Sequence, residues 1–362
     1  MSDDAYRHAV RAFVAARIAP AIEEWERAGA YPASLHAEAG AAGLLAFGEP
    51  PGPAPVEHPA RRRILIEEIT RGGSQGLTMG LASHGVSLAI LAQADPDWAG
   101  PVIRTVQSGE RTIALALTEP QAGSDLAALR ARAEPVADGW TITGEKRFIC
   151  NGTRADCLVV GAVTEAGLGL FLVERPQPGL TAEPLAAAGW RCLPLAALRF
   201  AGVPARLVVA PDRAARVLQR ALAQERLNLA VMALASAECV RDAALHHART
   251  RMVRGASLDA MSHIRQRLAE IATRIALARC FVDSTAATAE ASRIAMAKNA
   301  AVAALEEAAR TAVQILGAAG CVAPSVVERT QRDAPLIAIG GGTTEVMNEI
   351  IARSLAKETP AP

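Results

Sequence analysis

After Tyr6, apolar residues recur as Val10, Phe13, Val14, Ile18, Ile22 and Trp25, the spacing of one buried helical face, and Pro20 predicts a bend in it. A second helical stretch starts at Pro32, runs through Leu35 and ends near Gly43-Leu44-Leu45. Prolines crowd residues 50–59, which read as loop, and helical patterning resumes over 60–108. The period then changes. Ile113-Ala114-Leu115-Ala116-Leu117 suits a buried strand, and Cys157-Leu158-Val159-Val160 and Leu168 to Val173 are β-type apolar runs. Asp138-Gly139 ahead of Trp140-Thr141-Ile142-Thr143 signals a hairpin. Pro204 and Pro211 close this strand-rich block, and no further proline occurs before Pro324. The span between, dense in Ala, Leu, Arg and Glu, predicts long packed helices of a bundle. The order is helix, sheet, helix, with boundaries expected near 1–112, 113–210 and 211–362.

Bulk properties permit several functions and exclude few. With 362 residues and 51% hydrophobic content the chain can bury one large core or two to three ordinary ones. A net charge of +1 gives no reason to expect nucleic acid or an anionic membrane as partner. Arg61-Arg62-Arg63 accordingly read as a solvated helix start. Six scattered cysteines without a CxxC pair argue against a disulfide framework or zinc site, and His246-His247, about 100° apart on a helix, would not converge on one metal. No metal is expected. The N-terminus lacks the apolar core of a signal peptide and no run reaches membrane-spanning length, so a cytoplasmic protein is expected.

Two stretches carry candidate chemistry. Residues 118–125, TEPQAGSD, follow the first predicted strand, and Pro120, Gly123 and Ser124 force an open turn whose amides and hydroxyls can face an anion; an ordinary surface turn is the plainer reading. Near the C-terminus, Gln314-Ile315-Leu316-Gly317, Val327-Glu328-Arg329, Arg332-Asp333-Ala334 and IGGGTTEVMNEIIAR (Ile339 to Arg353) form a longer signature. There Gly340, Gly341 and Gly342 let backbone approach a ligand, and Thr343 and Glu345 precede a helix, where they can bond cofactor oxygens or simply cap a glycine-rich turn. In order and spacing these motifs resemble the acyl-CoA dehydrogenase family, from about Tyr6 to Lys357.

The resemblance implies an α+β, mainly α fold: an N-terminal helical domain, a small antiparallel β domain and a C-terminal four-helix bundle. It also implies flavin adenine dinucleotide (FAD) between the last two and across a dimer contact, in a homodimer or homotetramer. Leu117 and Thr118 would then lie along the flavin ring, Gly123 and Ser124 near cofactor or CoA phosphates, and Phe148 of GEKRFICNG against the isoalloxazine. Cys150 departs from the usual Thr or Ser that donates to flavin N5, and a thiol is the weaker donor. By themselves Phe148 and Cys150 read as core residues. Arg251 and Gly255 match a segment that holds the neighbouring subunit's cofactor, but Arg254 and Ser262 stand where Phe and Gln are usual. Gln314, Gly317, Thr343 and Glu345 complete the implied cofactor set.

The base is the deciding residue. Many relatives carry a glutamate just before the glycine-threonine of the terminal loop, and here that position is Gly341. In the long-chain and isovaleryl branches the glutamate comes from a helix at a motif like QERL, which residues 224–227 spell, making Glu225 the candidate base and Arg226 a residue that positions CoA or orders the site. A Glu-Arg pair on an Ala-rich helix otherwise reads as a solvated face. A thioester α C–H is weakly acidic, so the site must polarise the carbonyl, with the Gly341 N–H and the flavin ribityl hydroxyl as implied donors, while Gly342 and Ser124 contact substrate. The expected function is dehydrogenation of an acyl-CoA to the trans-2-enoyl thioester, with electrons passed to an electron-transfer flavoprotein. The alternatives are a non-catalytic or differently employed flavoprotein on the same fold, or an acyl-carrier-protein dehydrogenase or oxidase variant.

Overall fold

In the computed structural model, which describes residues 1–285 and 290–357, helices come first, strands second and helices last. Within the expected third block, residues 286–289 and 358–362 lie outside the described residues. The opening helices are α1 (Asp3–Phe13), α2 (Ile22–Ala28), α3 (Ser34–Ala41), α4 (Pro59–Arg71), α5 (Gln75–Ala82), α6 (His84–Leu91) and α7 (Pro96–Gln107). Ser2 caps α1 by accepting from the Ala5 amide at 3.1 Å, and the apolar face read from the sequence buries Tyr6, Val10, Val14, Ile18 and Ile22. The break at Pro20 lies after a π-helical turn, Val14–Ile18.

The strands are β1 (Ile113–Ala116), β2 (Arg132–Val136), β3 (Gly139–Cys150), β4 (Cys157–Thr164), β5 (Gly167–Glu174), β6 (Leu180–Pro184) and β7 (Leu195–Val209). Pairing is mostly antiparallel, with β1 running parallel to β4, and β4, β5, β7, β3 and β2 close a ring through the single pair Arg132↔Val163. The hairpin at Asp138-Gly139 joins β2 to β3. After β7 come α8 (Pro211–Thr250), a small hairpin of β8 (Met252–Val253) and β9 (Ala256–Ser257), then α9 (Ser262–Thr285), α10 (Ala291–Leu316), α11 (Val326–Ile339) and α12 (Thr344–Leu355). Where a four-helix bundle was expected, the described residues form a helical block of three long helices, α8, α9 and α10, and two shorter ones, α11 and α12, with α9, α11 and α12 all packing on α10.

Two compact units divide the chain: residues 1–65, 76–187 and 191–224 form one, and 66–75, 188–190 and 225 onward form the other. In the first unit the arginine run corrects the sequence reading. Arg61 and Arg62 are buried, not solvated: Arg61 bonds Asp3 (3.0 Å), Glu49 (2.8 Å), the Phe47 carbonyl (2.8 Å) and the Met1 carbonyl, while Arg62 meets Glu57 at 3.2 Å and lies over the Phe47 ring. The chain's first residues fold back over α4 and supply the carboxylate and carbonyl that make this burial tolerable. Pattern alone could not show that.

Two charged side chains organise the start of the strand block. Lys146 on β3 is fully buried and donates to Glu119 Oε1 at 2.7 Å and to the Leu117 carbonyl at 2.9 Å. Glu119, 3% exposed, also accepts from the amides of Arg130 (2.7 Å) and Ala131 (3.0 Å) and from the Gln121 side chain (2.6 Å). Burial opposes its ionisation, but the Lys146 ammonium and these amides outweigh burial and hold the carboxyl below its usual range. A few residues on, Lys146 pairs with Leu198 and Ile149 with Ala196, three steps on β3 against two on β7, so the intervening Arg147 and Phe148 form a bulge.

Removing one member of this pair strands a buried charge. Lys146→Met is expected to lower the unfolding free energy by roughly 3 kcal/mol, and adding Glu119→Gln to recover part of it; urea melts showing a loss under about 1 kcal/mol would contradict the burial. A second prediction concerns acid. His36 is buried against Gly80, whose carbonyl lies 3.1 Å from Nε2, and burial, assisted by neighbouring His84, pushes its imidazole down to about 4. The unfolded chain therefore binds a proton that the folded one refuses, so stability is lost as pH falls through 6.5 and the loss levels off below 4. From pH 7 to 5 this group should cost about 2 kcal/mol. A His36→Gln variant should show a shallower loss of urea midpoint over that interval; an unchanged slope would assign the acid sensitivity elsewhere.

Candidate functional site

In the first unit the candidate residues cluster around the turn after β1. Glu119 and Ala122 exchange backbone hydrogen bonds at 2.9 and 3.1 Å, so residues 119–122 form a tight turn, and Asp125 accepts from the Ala127 amide at 3.0 Å to close the segment. This leaves Gly123 and Ser124 exposed, Thr118 half-buried and Leu117 buried. The Arg147 amide donates to the Thr118 carbonyl at 2.8 Å, tying this turn to the β3 bulge. Alternation along β3 would place residue 148 on the same face as buried Lys146; the bulge reverses it. Phe148 is 56% exposed with φ at +61°, a conformation uncommon for a residue with a side chain, and the Arg147 guanidinium lies 5.4 Å from its ring centre. A large exposed ring held in a costly conformation fits an aromatic surface offered to a flat ligand rather than the core position that composition alone suggested. Cys150, the last residue of β3, is half-buried and pairs in register with Leu195.

In the second unit the residues converge on the loop between α11 and α12. Gly341 and Gly342 have φ of +66° and +109°, and Thr343 caps α12 by accepting from the Val346 amide at 3.3 Å. The cap reading of Thr343 is thus observed. A Cβ at Gly341 would come within 2.9 Å of Leu229 Cδ1, and Arg226 Nε donates to the Gly341 carbonyl at 2.9 Å. Glu225 stands one turn before Leu229 on the same face of α8, is 8% exposed, and receives the Asn228 side-chain amide at 3.3 Å. The face of α8 bearing this carboxyl is therefore the face applied to the glycine loop, not the solvated one. Glu345, in the first turn of α12, is exposed, and its carboxyl is held low by the Thr343 hydroxyl and its own amide.

Other candidates stand apart from this loop. Gln314 and Gly317, at the end of α10, are exposed, as are Arg251 and Arg254 at the β8–β9 hairpin, where Arg254 adopts φ of +52°. Arg332 and Asp333 do pair, at 3.5 Å, although the closer partner of Asp333 is the Trp190 amide at 2.7 Å. The sequence reading passed over Glu119, Lys146, Asn228 and Lys298. The signal available for Lys146 and Lys298 was a lone cation on an element otherwise patterned for burial. Among the described residues no group of His, Cys, Asp and Glu could hold a metal, and no helix is long and apolar enough to cross a membrane.

Comparison with known proteins converges with this geometry. The chain matches the acyl-CoA dehydrogenase N-terminal domain over residues 2–110, the middle domain over 114–203 and the C-terminal domain over 215–356. It is 30% identical over 373 residues to the mitochondrial long-chain specific acyl-CoA dehydrogenase of Rattus norvegicus, covering 98% of this chain and 87% of that protein. With the mitochondrial isovaleryl-CoA dehydrogenase of Oryza sativa subsp. japonica it shares 32% identity over 310 residues, 82% of this chain and 76% of the other. A crystal structure of a probable acyl-CoA dehydrogenase from Mycobacterium abscessus superimposes with a TM-score of 0.93 at 34% identity, covering 97% of this chain and 98% of that one. A helical, β and helical order, an exposed aromatic at a β bulge and a glycine loop before a capped helix are thus found in a chain that belongs to the acyl-CoA dehydrogenase family, whose members are FAD-dependent oxidoreductases.

Proposed function

We propose that the chain converts an acyl-CoA thioester to its trans-2-enoyl thioester with Glu225 as the base. The observation that carries this is the arrangement on α8: a buried carboxyl one turn from Leu229, which abuts Gly341, and beside Arg226, which bonds the Gly341 carbonyl. Gly341 itself has no side chain with which to accept a proton, and the carboxyl on the helix face applied to that loop supports Glu225 in that role. Arg226 orders the loop in this reading, the Gly341 N–H polarises the thioester carbonyl beside a flavin ribityl hydroxyl that would be the second donor, and Gly342 contacts substrate.

The residues present fit FAD. Leu117, Thr118, Gly123, Ser124, Phe148, Cys150, Arg251, Gln314, Gly317, Thr343 and Glu345 are proposed to hold it; the open 123–124 turn and exposed Phe148 support the assignment of the residues near them. When bound, the flavin supplies the acceptor for the β hydride. Phe148 shields that region from water, and Cys150 offers a weak donor where a hydroxyl is usual. Ser124 serves the CoA phosphates. An electron-transfer flavoprotein is the proposed oxidant of the reduced protein, which would act as a homodimer or homotetramer with the block boundaries expected above.

Glu225→Gln should leave the protein yellow and able to bind thioester while slowing anaerobic bleaching by acyl-CoA about 100-fold or more. Bleaching at the wild-type rate would remove Glu225 as base. Cys150→Thr should keep or raise the bleaching rate, because a hydroxyl is the stronger donor. A large loss instead would give the thiol a separate role. Acyl chains of differing length and branching, compared in the same assay, would define the substrate.

A further inference from the structure

We infer that Lys298, a fully buried lysine of α10, is a positioning residue that holds the Gly341-Gly342 loop in its reactive shape. Its ammonium donates to the Ala338 carbonyl at 3.1 Å and to the Gly342 carbonyl at 2.5 Å, and among the described residues it pairs with no carboxylate. An ammonium so buried is costly unless its site supplies compensating charge. Ala338 lies in the last turn of α11, where unpaired carbonyls and the negative end of the helix dipole provide some of it. Burial, with the Arg226 charge adding to it, still pushes Lys298 down to about 8. Folding maintains this cation at some expense, and what it obtains is one ammonium bridging the end of α11 to the second glycine of the loop.

The geometry explains why that bridge matters. A trans peptide points its N–H away from the preceding carbonyl. Arg226 fixes the Gly341 carbonyl and so aims the Gly342 amide; Lys298 fixes the Gly342 carbonyl and so aims the Thr343 amide. Both glycines lie at positive φ, where a chain without Cβ has many alternatives, so two cations from two helices replace the stiffness that side chains would have provided. Next to Lys298, Asn299 bonds the Asn348 side chain at 2.9 Å, securing the first turns of α12 from the same point on α10.

This inference rests on the proposed reading of Glu225, and the experiment separates the two. Lys298→Gln keeps a donor and loses the charge; Lys298→Arg keeps the charge. With flavin bound, Lys298→Gln should lower the limiting rate of reduction by acyl-CoA about 10- to 100-fold, the scale of a displacement near 1 Å, with the thioester dissociation constant changed less than about 2-fold. Lys298→Arg should recover most of the rate. In the flavin-free protein, amide exchange in a peptide covering 338–343 should quicken about 10-fold or more in Lys298→Gln, confined to that peptide. A wild-type limiting rate or unchanged exchange in Lys298→Gln overturns the assignment, as does an arginine variant no better than the glutamine one. If neither variant folds or takes up flavin, Lys298 is a folding residue and the inference falls. Wild-type reduction by Glu225→Gln would instead overturn the base, whatever the Lys298 variants do.

Discussion

The strand block depends on one buried ion pair. Lys146 and Glu119 sit where β3 passes the end of β1, and between them they satisfy the Leu117 carbonyl and two amides of the 130–131 segment. A hydrophobic pair of similar size could fill the volume, but it would leave those carbonyl and amide groups buried without partners. The pair thus exchanges some stability for definition. It fixes where the chain leaves β1 and so where the turn at 119–122 begins. Because Lys146 must point inward, the following bulge turns Phe148 outward, and the Arg147 amide that the bulge frees from β7 bonds Thr118. Turn and exposed aromatic are two consequences of one anchored strand.

The second unit solves a similar problem without a carboxylate. Its glycine loop offers carbonyls rather than side chains, and Arg226 and Lys298 bind those carbonyls directly. A cation bonded to backbone carbonyls leaves its charge only partly compensated, which is why burial lowers both groups from their ordinary values. Positive potential next to the loop favours any anion that forms there; on the function proposed above, that anion would be the enolate-like charge that develops as a thioester loses its α proton. On that reading, the residues that give the loop its shape also bias its chemistry.

How much of this the sequence revealed depended on whether the decisive interaction was local. Helix, sheet and helix followed from period, and the 138–139 hairpin from two residues. Glu225 was singled out by a four-residue motif together with the glycine at 341, and its burial overturns the solvated face that composition assigned to it. The exposure of Phe148 was not legible from strand patterning, because a bulge reverses the parity on which that patterning rests. Arg61 and Arg62 were misjudged for a related reason: a charge run looks solvated until its partners are known, and those of Arg61 lie 12 to 60 residues away in sequence. Lys298 stood out in its alanine-rich helix only as a lone cation; its partners were not legible, since its acceptors are carbonyls and carbonyls leave no trace in a sequence.

The absence of a side chain at 341 and the carboxyl at 225 are linked by geometry. At φ of +66° any L-residue is strained, and a Cβ there would push against Leu229, whose helical face also bears Glu225. A glutamate placed at 341 would have to displace Leu229 and change the backbone whose carbonyl Arg226 now holds. Conversely, the glycine lets α8 approach the loop closely enough for that hydrogen bond, bringing the 225–229 face against it. The loop gives up a carboxyl and gains proximity to a helix that carries one. On the reading proposed here, moving the base between these two positions is not a single substitution: Leu229, Arg226 and the conformation of the glycine pair would have to change together.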